Sequence, residues 1–239
     1  MGALLNIAIL TAIGMPGATD LRRAGIFVIC MILAIGVHEF AHAWMANKLG
    51  DPQPEGEGRL TLNPLVHADP IGTITLPLVL GLFGGGFLFG WGRPVMTNPR
   101  NYTRKISMRG GFALVAFAGP LSNLLQALVA LGLIAGLSAA GMMSVGTGAL
   151  EHPLLVYYVL NIVLFAFNLI PIHPLDGGKV LGWLLGAKYQ HIDDFLLANG
   201  GKILLVAIFA PLMLGFAGPI QWLLMPFVDA GIYLLQLVV

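Results

Sequence analysis

Charge is scarce in this sequence. Of its 239 residues only 10% are Asp, Glu, Lys or Arg, against about 25% in soluble globular domains. A chain this poor in charge cannot cover its surface against water, which excludes an ordinary soluble protein. Cysteine is scarcer still. Cys30 is the single one, so neither an internal disulfide nor a cysteine-based zinc site can form. The basic residues never gather into a stripe suited to a polynucleotide, and net charge is only +1; nucleic acid is not expected as a partner. The apolar run from Gly2 to Met15 has no basic residue ahead of it, and Gly14 and Gly17 make a poor cleavage site. We therefore expect that run to be retained, short or interfacial, rather than removed as a signal peptide.

What remains is apolar: 57% of residues are hydrophobic and mean hydropathy is +0.87. The 32 glycines and 15 prolines, which would suggest disorder in a polar chain, fit a bilayer protein with close helix contacts and interrupted helices. A helical span needs about 20 apolar residues. Candidate spans run from Ala24 to Leu49, Gly111 to Leu137, Leu154 to Ile172, Ile203 to Phe216 and Ile220 to Val239. Ile71 to Leu88 is apolar too, but Pro77 and the Gly84-Gly85-Gly86 run break it, favouring a short helix followed by strand or re-entrant structure. The expected fold is an all-α polytopic membrane protein of five to six transmembrane helices with a small membrane-associated β or re-entrant segment. No internal repeat and no stretch long enough for a separate soluble domain is visible.

Charge placement orients the spans. Lys48, Arg59, Arg93, Arg100, Arg104, Lys105 and Arg109 lie between the first two spans, and Lys179, Lys188 and Lys202 follow the third. The connection from Ser138 to Pro153 has no lysine or arginine. The positive-inside rule puts both basic regions in the cytoplasm, with Arg22 and Arg23 falling on the opposite side.

Inside the first span stands Val37-His38-Glu39-Phe40-Ala41-His42-Ala43-Trp44. Residues four apart share a helix face, so His38 and His42 can bite one ion, with Glu39 beside them to reach a bound water. This is the H-E-x-x-H arrangement of zinc peptidases. Two neutral imidazoles suit Zn²⁺, one per chain, which needs a third protein ligand and an open position to be catalytic. The plainer alternative is two histidines satisfied by neighbouring carbonyls. Within a span, however, each ionisable group costs about 2.5–3.5 kcal/mol, and such groups are functional by default. The third ligand should arrive from another span at the same depth. The span ending at Ile172 returns to the cytoplasmic side and delivers "NLIPIHPLDGG" (168–178), which brings Asp176 to the level of the histidines. Alone, Asp176 would read as a helix N-cap.

These residues resemble the site-2 protease family of intramembrane metalloproteases. The matching pieces are "HEFAH" (38–42), "GRLTLNPLVHADPIGT" (58–73), "FGWGRPVMTNPRNY" (89–102), "AGPLSN" (118–123) and "NLIPIHPLDGG" (168–178), in the family's order. The chain looks like the compact prokaryotic subgroup, without PDZ or CBS domains. The resemblance implies His38, His42 and Asp176 as zinc ligands, Glu39 as the catalytic carboxylate, and substrate-handling roles for Asn123 and the region around Asn168. His67 joins them as a candidate near the site. His173 departs from the proline expected in a "PIPPLDGG" run and is expected at the cytoplasmic rim. It further implies one integral membrane protease domain over residues 1–239, with a catalytic core at about 24–186 and a C-terminal helical pair at about 202–239. The expected partners are single-span membrane-protein substrates and the lipid bilayer, in a prokaryotic inner membrane. Phe87 to Val95, "FLFGWGRPV", could offer a strand edge to an extended substrate or anchor at headgroup depth. Gly132 and Gly136 form a GxxxG suited to close helix packing. Two rivals stand beside it: a metal transporter or sensor using the same ligands, which for transport predicts further ligands strung across the bilayer, and a non-catalytic binder of transmembrane helices, which needs no Glu39.

Overall fold

The computed structural model describes residues 21–82, 90–103, 105–143, 152–214 and 218–239. Among them every regular element is helical, and no strand occurs. The long helices are α1 (Leu21–Lys48), α5 (Met108–Ala139), α6 (Pro153–Asn168), α8 (Gln190–Leu214) and α9 (Pro219–Val238). Short helices α2 (Gln53–Gly56), α3 (Pro64–His67) and α4 (Leu76–Leu82) lie between α1 and α5, and α7 (Asp176–Leu185) lies between α6 and α8.

The local chemistry explains the boundaries. Helix α1 stops where Gly50 takes a positive φ of 101°, a conformation that costs glycine little. Ser107 caps α5 by accepting the Gly110 N–H at 3.1 Å, and His152 caps α6 with Pro153 at its first position, where a missing N–H is harmless. Helix α7 begins at Asp176, and its N-cap residue is Leu175, which makes no side-chain capping bond.

The broken apolar segment folds as a π-helical turn, Pro70–Thr75, that runs into α4. Asp69 seeds that turn by accepting the N–H groups of Ile71 and Gly72. Beyond it, residues 90–98 form no regular element; the Trp91 and Arg93 N–H groups donate to the Gly72 and His67 carbonyls. The aromatic part of the expected edge, Phe87 to Phe89, lies outside the described residues, as does the N-terminal run from Gly2 to Met15. Gly132 and Gly136 pack against nothing within van der Waals reach. They sit on an exposed face of α5, where, among the described residues, the GxxxG spacing meets no neighbouring helix.

Among the described residues, three helices are long and apolar enough to cross a membrane: α1 from Arg22, α5 and α9. Helix α6 has 16 residues, about 24 Å of rise. The outward faces are greasy. Ile29 and Leu33 on α1, Leu125, Val129 and Leu133 on α5, and Leu237 on α9 are all 45–65% exposed. Such a surface is matched to lipid, not water, and this is an integral membrane protein.

Helix α5 is the hub, packing against α1, α6 and α7. Small side chains make that possible: Ala113, Ala116, Ala127 and Ala130 of α5 and Ala34, Ala43 and Ala46 of α1 are all buried. Close approach matters because lipid tails remove the hydrophobic drive between helices, leaving van der Waals packing and interhelical hydrogen bonds. Helix α9 docks on α6 through Val228, Ile232 and Leu235 against Tyr158, Val159 and Ile162. There the Tyr158 hydroxyl donates to the Gly231 carbonyl at 2.7 Å. Tyr158→Phe should lower stability by about 0.6–1.7 kcal/mol, measured as an earlier midpoint in detergent unfolding. An unchanged midpoint would mean that apolar packing alone holds α9.

Candidate metal centre

His38 and His42 stack one turn apart on α1 with their rings edge to face, centroids 4.6 Å apart. Their Nε2 atoms are 3.0 Å from each other. Asp176 closes the triangle, its Oδ2 lying 3.3 Å from His38 Nε2 and 3.2 Å from His42 Nε2. All three residues are buried.

The outer contacts decide which ring nitrogens carry hydrogen. The carbonyl oxygen of Val115 can only accept, so His42 must donate to it from Nδ1, at 2.7 Å. The same logic runs through a chain of amides to His38. Asn161 Nδ2 donates to the Tyr157 carbonyl at 2.9 Å, which turns Asn161 Oδ1 toward Asn123. Asn123 Nδ2 donates to that oxygen at 2.8 Å, leaving Asn123 Oδ1 to accept from His38 Nδ1 at 2.6 Å. Both imidazoles are thereby set with Nδ1–H outward and the Nε2 lone pair inward.

Three electron pairs then point at one spot with no proton of their own between them. Such an arrangement calls for a cation. A tetrahedral ion with ligand bonds of about 2.0–2.1 Å separates its ligand atoms by about 3.3 Å, which the observed spacings of 3.0, 3.2 and 3.3 Å match. Two imidazoles and one carboxylate are the donor set of a catalytic zinc site with one position open.

Delivery of Asp176 depends on a tight loop. A side chain at Gly177 would strike the Leu169 and Ile170 carbonyls, and one at Gly178 would strike the backbone at Ile172 and His173. The loop is anchored from outside by Ile170 and Leu175 packing on Leu204 of α8. His173 faces away from the centre, pairing through Nε2 with Asp193 Oδ1 of α8 at 3.0 Å. On the opposite wall, a Cβ at Gly119 would collide with both imidazole rings. The "AGPLSN" glycine is thus what lets α5 reach the histidines.

A cavity of about 390 Å³ opens beside the triad, lined by Glu39, Trp91, Val95, Asn168 and Lys179 among others. Glu39 is half-buried, and its Oε2 accepts the Val95 N–H at 3.0 Å. Asn168 reaches this cavity while its Nδ2 donates to the Leu164 carbonyl. Asn123 does not: it is fully buried, with both ends of its amide committed to His38 and Asn161. It stands behind a histidine instead of at the substrate. His67 is also fully buried and away from the cavity, its Nε2 on the Thr61 carbonyl at 2.9 Å; its backbone carbonyl holds Arg93, so it shapes the loop. Two participants escaped sequence reasoning. Asn161 could have been found as an amide inside an apolar span. Lys179, whose Nζ lies 2.9 Å from Asp176 Oδ1, could have been found as a cation one helical turn after the acid.

A membrane-embedded helix bundle carrying a buried His-His-Asp triangle, with a glutamate beside it, defines a metallopeptidase. The chain belongs to peptidase family M50, the site-2 protease family of zinc metalloendopeptidases. The profile of that family, "Peptidase family M50", matches residues 138–211, a stretch that contains Asp176 and Lys179. The chain is 36% identical over 210 residues to a Bacillus subtilis protein named "Putative zinc metalloprotease YwhC", covering 85% of this chain and 86% of that one. It is 30% identical over 238 residues to "Putative zinc metalloprotease Rip2" of Mycobacterium tuberculosis, covering 92% and 84%. A shorter match, 44% identity over 55 residues, is to "Zinc metalloprotease MJ0392" of Methanocaldococcus jannaschii, covering 22% and 16%. No solved structure matches the chain. Zinc is the family's metal, and the donor set here fits it.

Asn123→Leu should weaken zinc binding about 10–100-fold by freeing the His38 ring, read by competition with a chromogenic chelator. Asn161→Leu should act in the same direction and less strongly. Wild-type affinity in both would remove the amide chain from the metal site.

Proposed function

We propose that the protein hydrolyses peptide bonds within or next to the transmembrane segments of single-span membrane proteins, with His38, His42 and Asp176 as zinc ligands and Glu39 as the catalytic carboxylate. The observation that carries this reading is the convergence of His38 Nε2, His42 Nε2 and Asp176 Oδ2 on one buried point between α1 and α7, next to a cavity lined by the Glu39 carboxylate. Zinc bound there would supply the Lewis acidity that activates a water and polarises the scissile carbonyl.

The chain's own groups do the rest. Glu39 keeps one oxygen on the Val95 N–H, which fixes its rotamer, and offers the other to the attacking water's proton. That proton is then returned to the leaving amide nitrogen. A helical substrate hides its carbonyls in its own ladder, so it must open before attack, and in lipid the freed backbone groups need new partners. Asn168 and the irregular segment 90–97 border the cavity and supply such partners. Asn123 acts through His38.

Counting α6 and the C-terminal half of α8 with α1, α5 and α9 gives five spans. Such a count places residues 49–107 and the Asp176 loop on one side, the cytoplasmic side by their lysines and arginines. Residues 24–186 then form the catalytic core and the last helices its support, within one domain of a prokaryotic inner membrane. Trp44 lies under the Lys48 ammonium, 5.6 Å from ring centroid to Nζ, a pairing suited to headgroup depth.

Purified protein should cleave members of a panel of single-span peptides, and a chelator should abolish cleavage. Glu39→Gln should keep its zinc and lose about 10²–10⁴-fold in turnover; retained cleavage would end the Glu39 assignment. Asp176→Asn should lose zinc by elemental analysis. Full metal content in that variant would mean that α1 and α7 do not meet at one ion.

A further inference from the structure

Asp176 does not present its two oxygens equally. Oδ2 faces the two imidazole Nε2 atoms at 3.3 and 3.2 Å, while Oδ1 accepts from Lys179 Nζ at 2.9 Å. The ammonium is steadied from its other side by the face of Phe112 on α5, 5.8 Å from the ring centroid, within the range of cation–π attraction. A lysine three residues after an aspartate on a helix ordinarily makes a solvated surface pair of little value. Here the carboxylate is only 5% exposed, and the lysine lines the same cavity as Glu39. Among the described residues, Lys179 is the one lysine or arginine on that cavity wall.

We infer that Lys179 is a positioning residue that dictates how Asp176 binds the metal. Carboxylates can bind through one oxygen or both. An aspartate with both oxygens free beside a dication can swing to offer both, filling the coordination position that a water must occupy for hydrolysis. Holding Oδ1 in a charge-assisted hydrogen bond reserves Oδ2 alone for the ion. The bond also draws negative charge away from the donor oxygen, so the carboxylate quenches less of the ion's Lewis acidity. Lys179 thus keeps three protein donor atoms from becoming four. The inference rests on the reading of His38, His42 and Asp176 as the ligands.

The test replaces zinc with Co²⁺ in the full-length protein in detergent, after removal of metal by chelation, and records the visible d–d absorption. Wild type and Lys179→Arg should show the intense bands of a four-coordinate ion. Lys179→Met, which keeps the stem on Phe112, should bind one Co²⁺ but with weakened and shifted bands of higher coordination. Lys179→Gln serves as the second neutral variant if Met disturbs folding. On a cleaved peptide the neutral variants should lose about 10–100-fold in kcat with KM little changed, and Arg should restore most of it. A wild-type spectrum in both neutral variants overturns the inference, and so does loss of Co²⁺ from variants that remain folded. Failure of the wild type itself to take up Co²⁺ would overturn the ligand assignment, and this inference with it.

Discussion

Two imidazole lone pairs and a carboxylate oxygen, all within 3.3 Å of one another and shielded from water, repel strongly unless a cation sits among them. Much of the rest of the molecule is arranged around that conflict. In a low-dielectric interior an unsatisfied polar group is costly, while a fully connected network is rigid. The hydrogen bonds behind the two histidines are connected to the end. His42 closes on the Val115 carbonyl, and the His38 chain runs through Asn123 and Asn161 to the Tyr157 carbonyl. The same bonds that satisfy buried amides also choose the imidazole tautomers, so the polar glue of the bundle and the preparation of the site are one set of contacts.

Helix α5 carries much of this architecture without contributing a donor atom to the triangle. It supplies the Val115 carbonyl, the Asn123 amide, the Phe112 ring beside Lys179, and the bare backbone at Gly119 against which both imidazoles rest. Each of these acts on a residue of α1 or α7. A second tie links α5 to α6 and α1 along the same face. The Tyr157 hydroxyl donates to Gln126, whose amide donates onward to the Ala34 carbonyl. With little hydrophobic drive to press helices together in lipid, such ties and the small residues between them hold the bundle.

Much of the centre was legible in the sequence because its logic is periodic. His38 and His42 announce a shared helix face, and their presence in a span asks for a partner. Asp176 could be placed by counting spans, and the structure brings it to the histidines. The roles of single polar groups were less legible, because spacing locates a residue in depth but not in azimuth. Asn123 lies at the right level, yet it points behind His38 and not into the cavity; His67 turns into its own loop. Lys179 and Asn161 were overlooked for the opposite reason: a lysine near a helix start and an asparagine in a span have ordinary readings until a distance to the carboxylate or to another amide is known. For the apolar segments, composition revealed α1, α5 and α9 as spans. It could not separate a full crossing from the shorter α6, nor foresee that the interrupted stretch after Asp69 would wind into a π-helical turn.

The brevity of α6 bears on how the surrounding lipid behaves. A 16-residue rod reaches about 24 Å, while hydrocarbon is about 30 Å deep. Beyond its last turn the chain leaves helical form for the Leu169 to Leu175 loop, whose irregular backbone lies against α8. On the proposed five-span count, lipid tails beside this helix would have to compress to meet it, and the cost of that mismatch rises with bilayer thickness. A pinched leaflet draws the headgroups, and the moisture they carry, nearer to the floor on which Asp176 stands. On that count, membrane thickness becomes a variable of the proposed hydrolysis itself.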